Sequence, residues 1–241
     1  MFTNVVETYD LINRILTWGL DKVWREACAK ECLSSGIVLD LCCGTGDLAL
    51  YVSKHASPSV SVLGVDFSKA MLYRAVNKRA KAERKESCRI KKGQEELGVD
   101  TCNVSFILAD AGHLPFKNEC IDRIAISFSF RNLVYGNPLA KIYLKEVLRT
   151  LRPRGRLVCV ETSQPRTSPL RFLYHLYLRK VVPLVGGLMS GQKGAYRYLG
   201  ISAIHFPSGG EIAEMLLSAG FREISFKPMT LGVVGLHVGI K

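Results

Sequence analysis

Two glycines and a set of carboxylate and hydroxyl side chains recur at spacings that suit a nucleotide-bearing cofactor. Gly44 and Gly46 lie in the stretch Ile-Val-Leu-Asp-Leu-Cys-Cys-Gly-Thr-Gly-Asp-Leu (37–48). There an apolar run gives way to a tight turn, which lets the backbone approach a ligand before a helix begins near Asp47. Asp66 follows Gly46 by twenty residues, and Asp110-Ala111 and Ser127 close two later apolar runs. Acceptors and donors of these kinds suit ribose hydroxyls, an adenine edge and the group that the nucleoside carries. The alternative for Asp66 and Asp110 is capping of the helices that follow them, but both fall on one expected rim.

The turn by itself fits two cofactors. Gly44-x-Gly46-x-x-Ala49 followed by Asp66 satisfies the dinucleotide fingerprint, so an NAD-dependent dehydrogenase is a competitor. Asp40, four residues before Gly44, argues the other way. A carboxylate aimed at the turn repels a pyrophosphate and attracts a cationic amino-acid ligand such as S-adenosylmethionine. With that ligand, Gly44 and Gly46 admit the methionine moiety and Asp66 takes the ribose hydroxyls. Asp110 and the Ala111 amide read the adenine, and Ser127 lies beside the sulfonium.

The elements that must hold these residues alternate between strand and helix. Residues 5–29 read as helix interrupted at Trp18-Gly19, a lid whose Tyr9, Trp18 and Trp24 either line a site or pack on the sheet. Strands are expected at 37–40, 59–65, 104–108, 121–127 and 156–161, with helices at 47–55, from Ser68 onward and at 138–151. A helix at 210–220 and strands at 224–229 and 233–240 finish the chain as an antiparallel hairpin. The pattern predicts one α/β domain, its sheet mostly parallel and covered on both faces, with ligands at the carboxyl ends of the strands.

The chain has 241 residues, of which 48% are hydrophobic, enough for a substantial core. Its formal charge of +12 is concentrated in two segments: 78–92 holds eight basic and two acidic residues, and 149–200 ten basic and one acidic. Such patches suit an anionic lipid surface or nucleic acid, or are solvated faces. No stretch is apolar over the ~18 residues that a membrane span needs, and 1–10 has no basic segment leading into an apolar run. A cytoplasmic chain, peripheral at most to the inner face of a membrane, is expected. The eight cysteines form no Cys-x-x-Cys pair and read as reduced thiols. No metal is expected; Cys28 and Cys32 lack further ligands, and a Cys88–Cys102 bridge is left open.

Several segments are more specific than the turn. Tyr-Asp-Leu-Ile-Asn (9–13), Gly-Leu-Asp-Lys-Val-Trp-Arg (19–25), Leu-Pro-Phe (114–116), Ile-Ser-Phe-Ser-Phe-Arg-Asn (126–132), Tyr-Arg-Tyr-Leu (196–199) and Leu-His-Val-Gly-Ile-Lys (236–241) closely resemble the ubiquinone/menaquinone biosynthesis C-methyltransferase family. The resemblance spans nearly the whole chain. It implies a Rossmann-like class I methyltransferase fold with a seven-stranded sheet, a helical lid over 1–35 and a substrate-covering helical insertion over 165–205. It also implies methyl transfer from S-adenosylmethionine to a ring carbon of a polyprenylated quinol, with cofactor contacts at Thr45, Asp66, Asp110, Ala111 and Ser127. The chain departs from the family at Ser129-Phe130, usually Gly-Leu, and at Glu161-Thr162-Ser163, usually Glu-Phe-Ser.

An aromatic carbon becomes a nucleophile when its neighbouring phenol loses a proton, so the site needs a base or a phenolate-stabilising cation. Arg131 and Asn132 are the catalytic candidates. A guanidinium is too basic to accept the proton, so Arg131 is expected to stabilise the oxyanion or organise water, with Asn132 orienting the oxygen. The alternative is that Arg131 ties its loop to a carboxylate. Tyr9, Tyr196, Tyr198 and His205 are secondary candidates, His205 being more typical of a core or capping residue. Residues 170–184 read as an amphipathic helix suited to a membrane interface, a substrate cover or a homodimer contact. No specific nucleic acid is expected. The fourth strand does not end in the Asn/Asp-Pro-Pro-aromatic segment of base-amino methylation, and no Pro-Cys nucleophile is present.

Overall fold

The computed structural model describes residues 8–34, 36–91 and 103–241. The segment 1–7, Cys88, Cys102 and the side chains of 85–92 in the first basic stretch lie outside what is described. Seven strands form one sheet: β1 Ile37–Leu41, β2 Ser61–Asp66, β3 Val104–Leu108, β4 Ile121–Ser127, β5 Leu151–Thr162, β6 Arg222–Met229 and β7 Val234–Ile240. Their order is β3-β2-β1-β4-β5-β7-β6. The first five run parallel to one another, and β7 lies antiparallel between β5 and β6. The expected closing hairpin is present, and its second strand, rather than its first, joins the parallel sheet.

Among the described residues ten α-helices surround the sheet: α1 Tyr9–Leu16, α2 Leu20–Lys30, α3 Asp47–His55, α4 Lys69–Lys91, α5 Phe130–Val134, α6 Ala140–Thr150, α7 Ser168–Leu176, α8 Val182–Ser190, α9 Lys193–Ile204 and α10 Gly209–Ala219. Strand alternation divides the core. Leu39, Leu41, Ile124 and Ile126 face one cluster, which continues into Leu144, Ile212 and Leu216 of α6 and α10. Val38, Ala125, Val158 and Val160 face the other, with Trp24 and Cys28 of α2 and Leu48 and Val52 of α3. β5 begins at Leu151, before the turn that the Arg-Pro-Arg-Gly sequence predicts, because Leu151 already pairs with Ile121; the ladder then shifts register before Arg123.

Residues 170–184 belong to a longer helical run in which a π-helical turn, Tyr177–Val181, joins α7 to α8. A third cluster lies here, away from the sheet: Ile12 of α1 is enclosed by Tyr174, Leu178, Val182, Ala195 and Tyr196. It ties α1 onto the α7–α9 segment. Truncating Ile12, which is fully buried, is expected to cost about 2–4 kcal/mol. In Ile12→Ala, hydrogen exchange of the α1 amides should accelerate while those of β1 and β4 keep their protection; equal loss in both would contradict a separate lid cluster.

Candidate functional site

The carboxyl ends of β1, β2 and β4, with the residues that follow β3, enclose a cavity of about 480 Å³. Six of the ten sequence-predicted site residues line it: Gly44, Asp66, Asp110, Ala111, Arg131 and Asn132. Asp66 holds the rim together. Its Oδ2 accepts from the Gly44 amide at 2.8 Å and its Oδ1 from the Ser68 amide at 2.8 Å. Burial raises its pKa, opposed by these amide hydrogen bonds. A ligand hydroxyl donating to this carboxylate would add to that opposition. Asp110 accepts from the Gly112 amide at 2.7 Å, which aligns the turn carrying Ala111.

The glycines divide their work. Gly44 has a φ of +55°, and a Cβ there would meet nothing within 4 Å, so it leaves backbone facing open cavity. Gly46 has a φ of +80°, and a Cβ there would lie 2.8 Å from the Phe106 ring and 2.9 Å from Ala75. It is needed for packing beneath the turn and does not line the cavity.

Three further candidates stand off the cavity lining. Asp40 is on the same strand face as Val38, toward α3, and its Oδ2 accepts from the Ala49 amide at 3.0 Å. It therefore supports the start of α3. Burial pushes its pKa up to about 8, so it supplies little negative charge near neutrality. The Thr45 hydroxyl is turned from the cavity to donate to Asp10 at 2.7 Å and accept from Lys78 at 2.8 Å. Ser127 shares the strand face of Ala125, and its Oγ is buried with no hydrogen-bond partner among the described residues. The lining at that strand end comes from Phe128 and Ser129. Phe128 (φ +57°) and Cys42 (φ +58°) both adopt left-handed backbone at the cavity wall. Such strain costs of order 1–3 kcal/mol per residue and clusters at functional sites.

A second cavity of about 140 Å³ adjoins the first, and Tyr9, Phe128, Arg131 and Leu199 line both. Its other walls include Leu16, Tyr177, Leu178 and Val182. Arg131, on the short α5 that the sequence reading took for a loop, is 2% exposed. Its Nη1 donates to Glu161 Oε1 at 3.2 Å and to Thr162 Oγ1 at 2.9 Å, while its Nε has no partner among the described residues. The tie to a carboxylate is thus real, yet the guanidinium still borders both cavities. Asn132 Oδ1 is likewise buried without a described partner.

Of the secondary candidates, Tyr9 lines both cavities and Tyr198 the larger. Tyr196 lines neither, and burial pushes its pKa up to about 12. His205 Nδ1 lies 2.9 Å from the Ile201 carbonyl at the end of α9, in keeping with capping. Trp24 borders the smaller cavity and donates to Thr230 at 2.8 Å. Trp18 is 87% exposed and packs on no sheet face.

Sequence reasoning missed a polar latch that secures the lid. Lys78 Nζ contacts Asp10 at 2.7 Å, Asp47 at 2.5 Å and Thr45 at 2.8 Å, joining α1 and α4 to the glycine turn. The adjacent Tyr9 is thereby held between the cavities. A Lys beyond the second strand and an Asp in the first helix carry no local signal of their meeting. Among the described residues, no cluster of three or more His, Cys, Asp or Glu side chains is arranged to hold a metal.

The cavity suits a nucleoside with a cationic amino-acid arm. Asp66 offers buried acceptors, Gly44 open backbone, and the unpartnered Asn132 oxygen a further polar contact. Residues 1–241 match the ubiE/COQ5 methyltransferase family. The "Ubiquinone/menaquinone biosynthesis C-methyltransferase UbiE" of Geobacter sulfurreducens is 35% identical, covering 100% of this chain and 87% of that protein. The "Demethylmenaquinone methyltransferase" of Thermus thermophilus is 38% identical, over 99% of each. Among solved structures, a SAM-dependent methyltransferase of Thermotoga maritima is similar with a TM-score of 0.60 at 18% identity, over 100% of this chain and 97% of that one. One from Aquifex aeolicus has a TM-score of 0.55 at 18% identity, over 90% and 88%. At those identities the likeness is one of fold.

The buried Asp40 carboxyl makes the stability of the fold depend on pH. Between its ordinary value of 3.8 and about 8, the folded chain holds a proton that the unfolded chain releases. Its contribution to stability is therefore full below the lower value and is lost as pH rises through the upper one. In Asp40→Asn, the decline of unfolding free energy from pH 5 to 8, measured in denaturant, should flatten; an unchanged slope would show that Asp40 is ionised throughout.

Proposed function

Since the chain belongs to the ubiE/COQ5 methyltransferase family, we propose that its S-adenosylmethionine-dependent methyl transfer is directed to a ring carbon of a polyprenylated quinol of the demethylmenaquinol type. The observation that carries this reading is the position of Arg131, on the wall shared by the two cavities. The larger cavity receives the cofactor, with Asp66, Asp110 and Ala111 taking its nucleoside. The smaller one receives the acceptor, its prenyl chain leaving along Leu16, Tyr177, Leu178 and Val182.

When bound, the cofactor supplies an electrophilic methyl group. The chain's own task is to make a ring carbon nucleophilic and hold it in line. Arg131 stabilises the charge that develops on the neighbouring phenol oxygen, an effect strengthened by the low exposure of its guanidinium. Asn132 Oδ1 accepts from the hydroxyl or from a water that removes its proton. Tyr9 and Leu199 narrow the passage between cavities and exclude bulk water.

Purified protein should transfer labelled methyl to a short-chain demethylmenaquinol and not to bulk RNA; label in RNA alone would overturn this reading. Arg131→Lys keeps a charge but loses the planar fork, and kcat should fall by about two orders of magnitude with cofactor affinity little changed.

The prenyl substrate also favours a cytoplasmic enzyme lying peripherally on the inner face of a membrane. No described helix is long and apolar enough to cross one. Support comes from Phe172, Leu184 and Leu188 on the α7–α8 run and Ile15 and Trp18 at α1, all exposed; α1 packs on α8, and Arg171, Arg179 and Lys180 lie on that run. Vesicles containing anionic lipid should bind the protein, salt should release it, and Trp18→Ser with Phe172→Ser should weaken it. Concentration-dependent dimerisation through the same face, with no vesicle binding, would assign the surface to a homodimer.

A further inference from the structure

Glu161 is the penultimate residue of β5, and its carboxylate is fully enclosed. Its hydrogen-bond partners among the described residues are Arg131 and Thr162. Oε2 accepts from the Arg131 backbone amide at 3.0 Å; Oε1 accepts from Arg131 Nη1 at 3.2 Å, the Thr162 amide at 2.8 Å and the Thr162 hydroxyl at 3.1 Å. One carboxylate thus fixes both the backbone and the side chain of Arg131. Stability alone does not account for such a pair, because buried ion pairs are often replaceable by apolar residues without loss.

The larger cavity makes the arrangement informative. Its lining includes the carboxylates Asp66 and Asp110, and Arg131 is the one cationic side chain among the described residues that line it. A cationic methyl donor must be seated in a wall that already contains a guanidinium. Coulomb repulsion between two such charges is substantial where water is excluded. Glu161, in direct contact with that guanidinium and away from the larger cavity, is placed to cancel it.

We propose that Glu161 is a positioning residue that neutralises Arg131 toward the methyl donor, and so sets the affinity of the site for the sulfonium form of the cofactor relative to its neutral thioether product. S-Adenosylmethionine and S-adenosylhomocysteine differ by one methyl and one positive charge, so a charge effect moves their ratio whereas a loss of shape moves both. The proposal rests on the methyl-donor reading of the larger cavity and not on the identity of the acceptor.

The test is calorimetric titration of the full chain with each compound, without acceptor. Glu161→Gln keeps size and the acceptor oxygen that three of the four donors use, while removing the charge; it should weaken S-adenosylmethionine roughly tenfold relative to S-adenosylhomocysteine. Arg131→Gln, which leaves the carboxylate alone, should move the ratio in the opposite direction, and the double variant should bring it back to within about twofold of the parent. Equal weakening of both compounds, or a ratio that does not respond, would overturn the proposal. Should Glu161→Gln fail to fold, Arg131→Gln decides by the direction of its shift. Failure of methyl transfer to quinol with these shifts intact would sink only the acceptor assignment.

Discussion

The Asp66 carboxylate is the contact on which the cofactor cavity depends. By accepting from Gly44 and Ser68, it joins the turn after β1 to the start of α4 across the end of β2. The Cys43 amide donating to the Val65 carbonyl at 2.9 Å makes a second tie between the same strand ends. Parallel strands deliver all their carboxyl ends to one rim, but these ends splay with sheet twist unless something links them. Here the linking group is also a buried acceptor on the cavity wall, so under the proposed function assembly of the rim and recognition of the nucleoside would rest on one side chain.

Much of this was readable in the sequence because it depends on local periodicity. The bounds of β3, β4 and α3 follow from short β-branched runs and a helix closed before Pro58. The rim positions of Gly44, Asp66, Asp110 and Ala111 follow from turns at strand ends. Asp40 and Ser127 stand off the cavity lining for a different reason. Asp40 was placed by its nearness to the turn and Ser127 by its position at a strand end, whereas the pleat sends alternate residues to opposite faces, and these two fall on the side of α2 and α3. Arg131 was located, but not its partners in β5, since no local rule relates residues thirty apart. The partners of Thr45 were equally illegible: its hydroxyl is claimed by Asp10 and Lys78, contacts that exist only after α1 folds back on the sheet.

Two kinds of order coexist in the molecule. Around the sheet, apolar clusters on both faces fix the rim. Above it, α1 and the α7–α9 segment have their own small core, centred on Ile12 and reinforced by Tyr177, whose hydroxyl donates to the Leu16 carbonyl at 2.6 Å; they reach the glycine turn through polar contacts at Lys78. The rim supplies most walls of the larger cavity and the upper layer much of the smaller one, so under the proposed function the first would bind the cofactor and the second select the acceptor.

The π-helical turn at Tyr177–Val181 gives that upper layer a means of diversifying. An α-helix advances by about 100° per residue, so one residue gained within a turn re-aims every side chain beyond it while leaving the preceding stretch in place. Tyr177 and Leu178 in the turn and Val182 just after it are wall residues of the smaller cavity. Insertion or deletion of a single codon here would exchange which side chains meet the acceptor without disturbing the cofactor rim, a low-cost evolutionary route to new substrates on an unchanged catalytic frame.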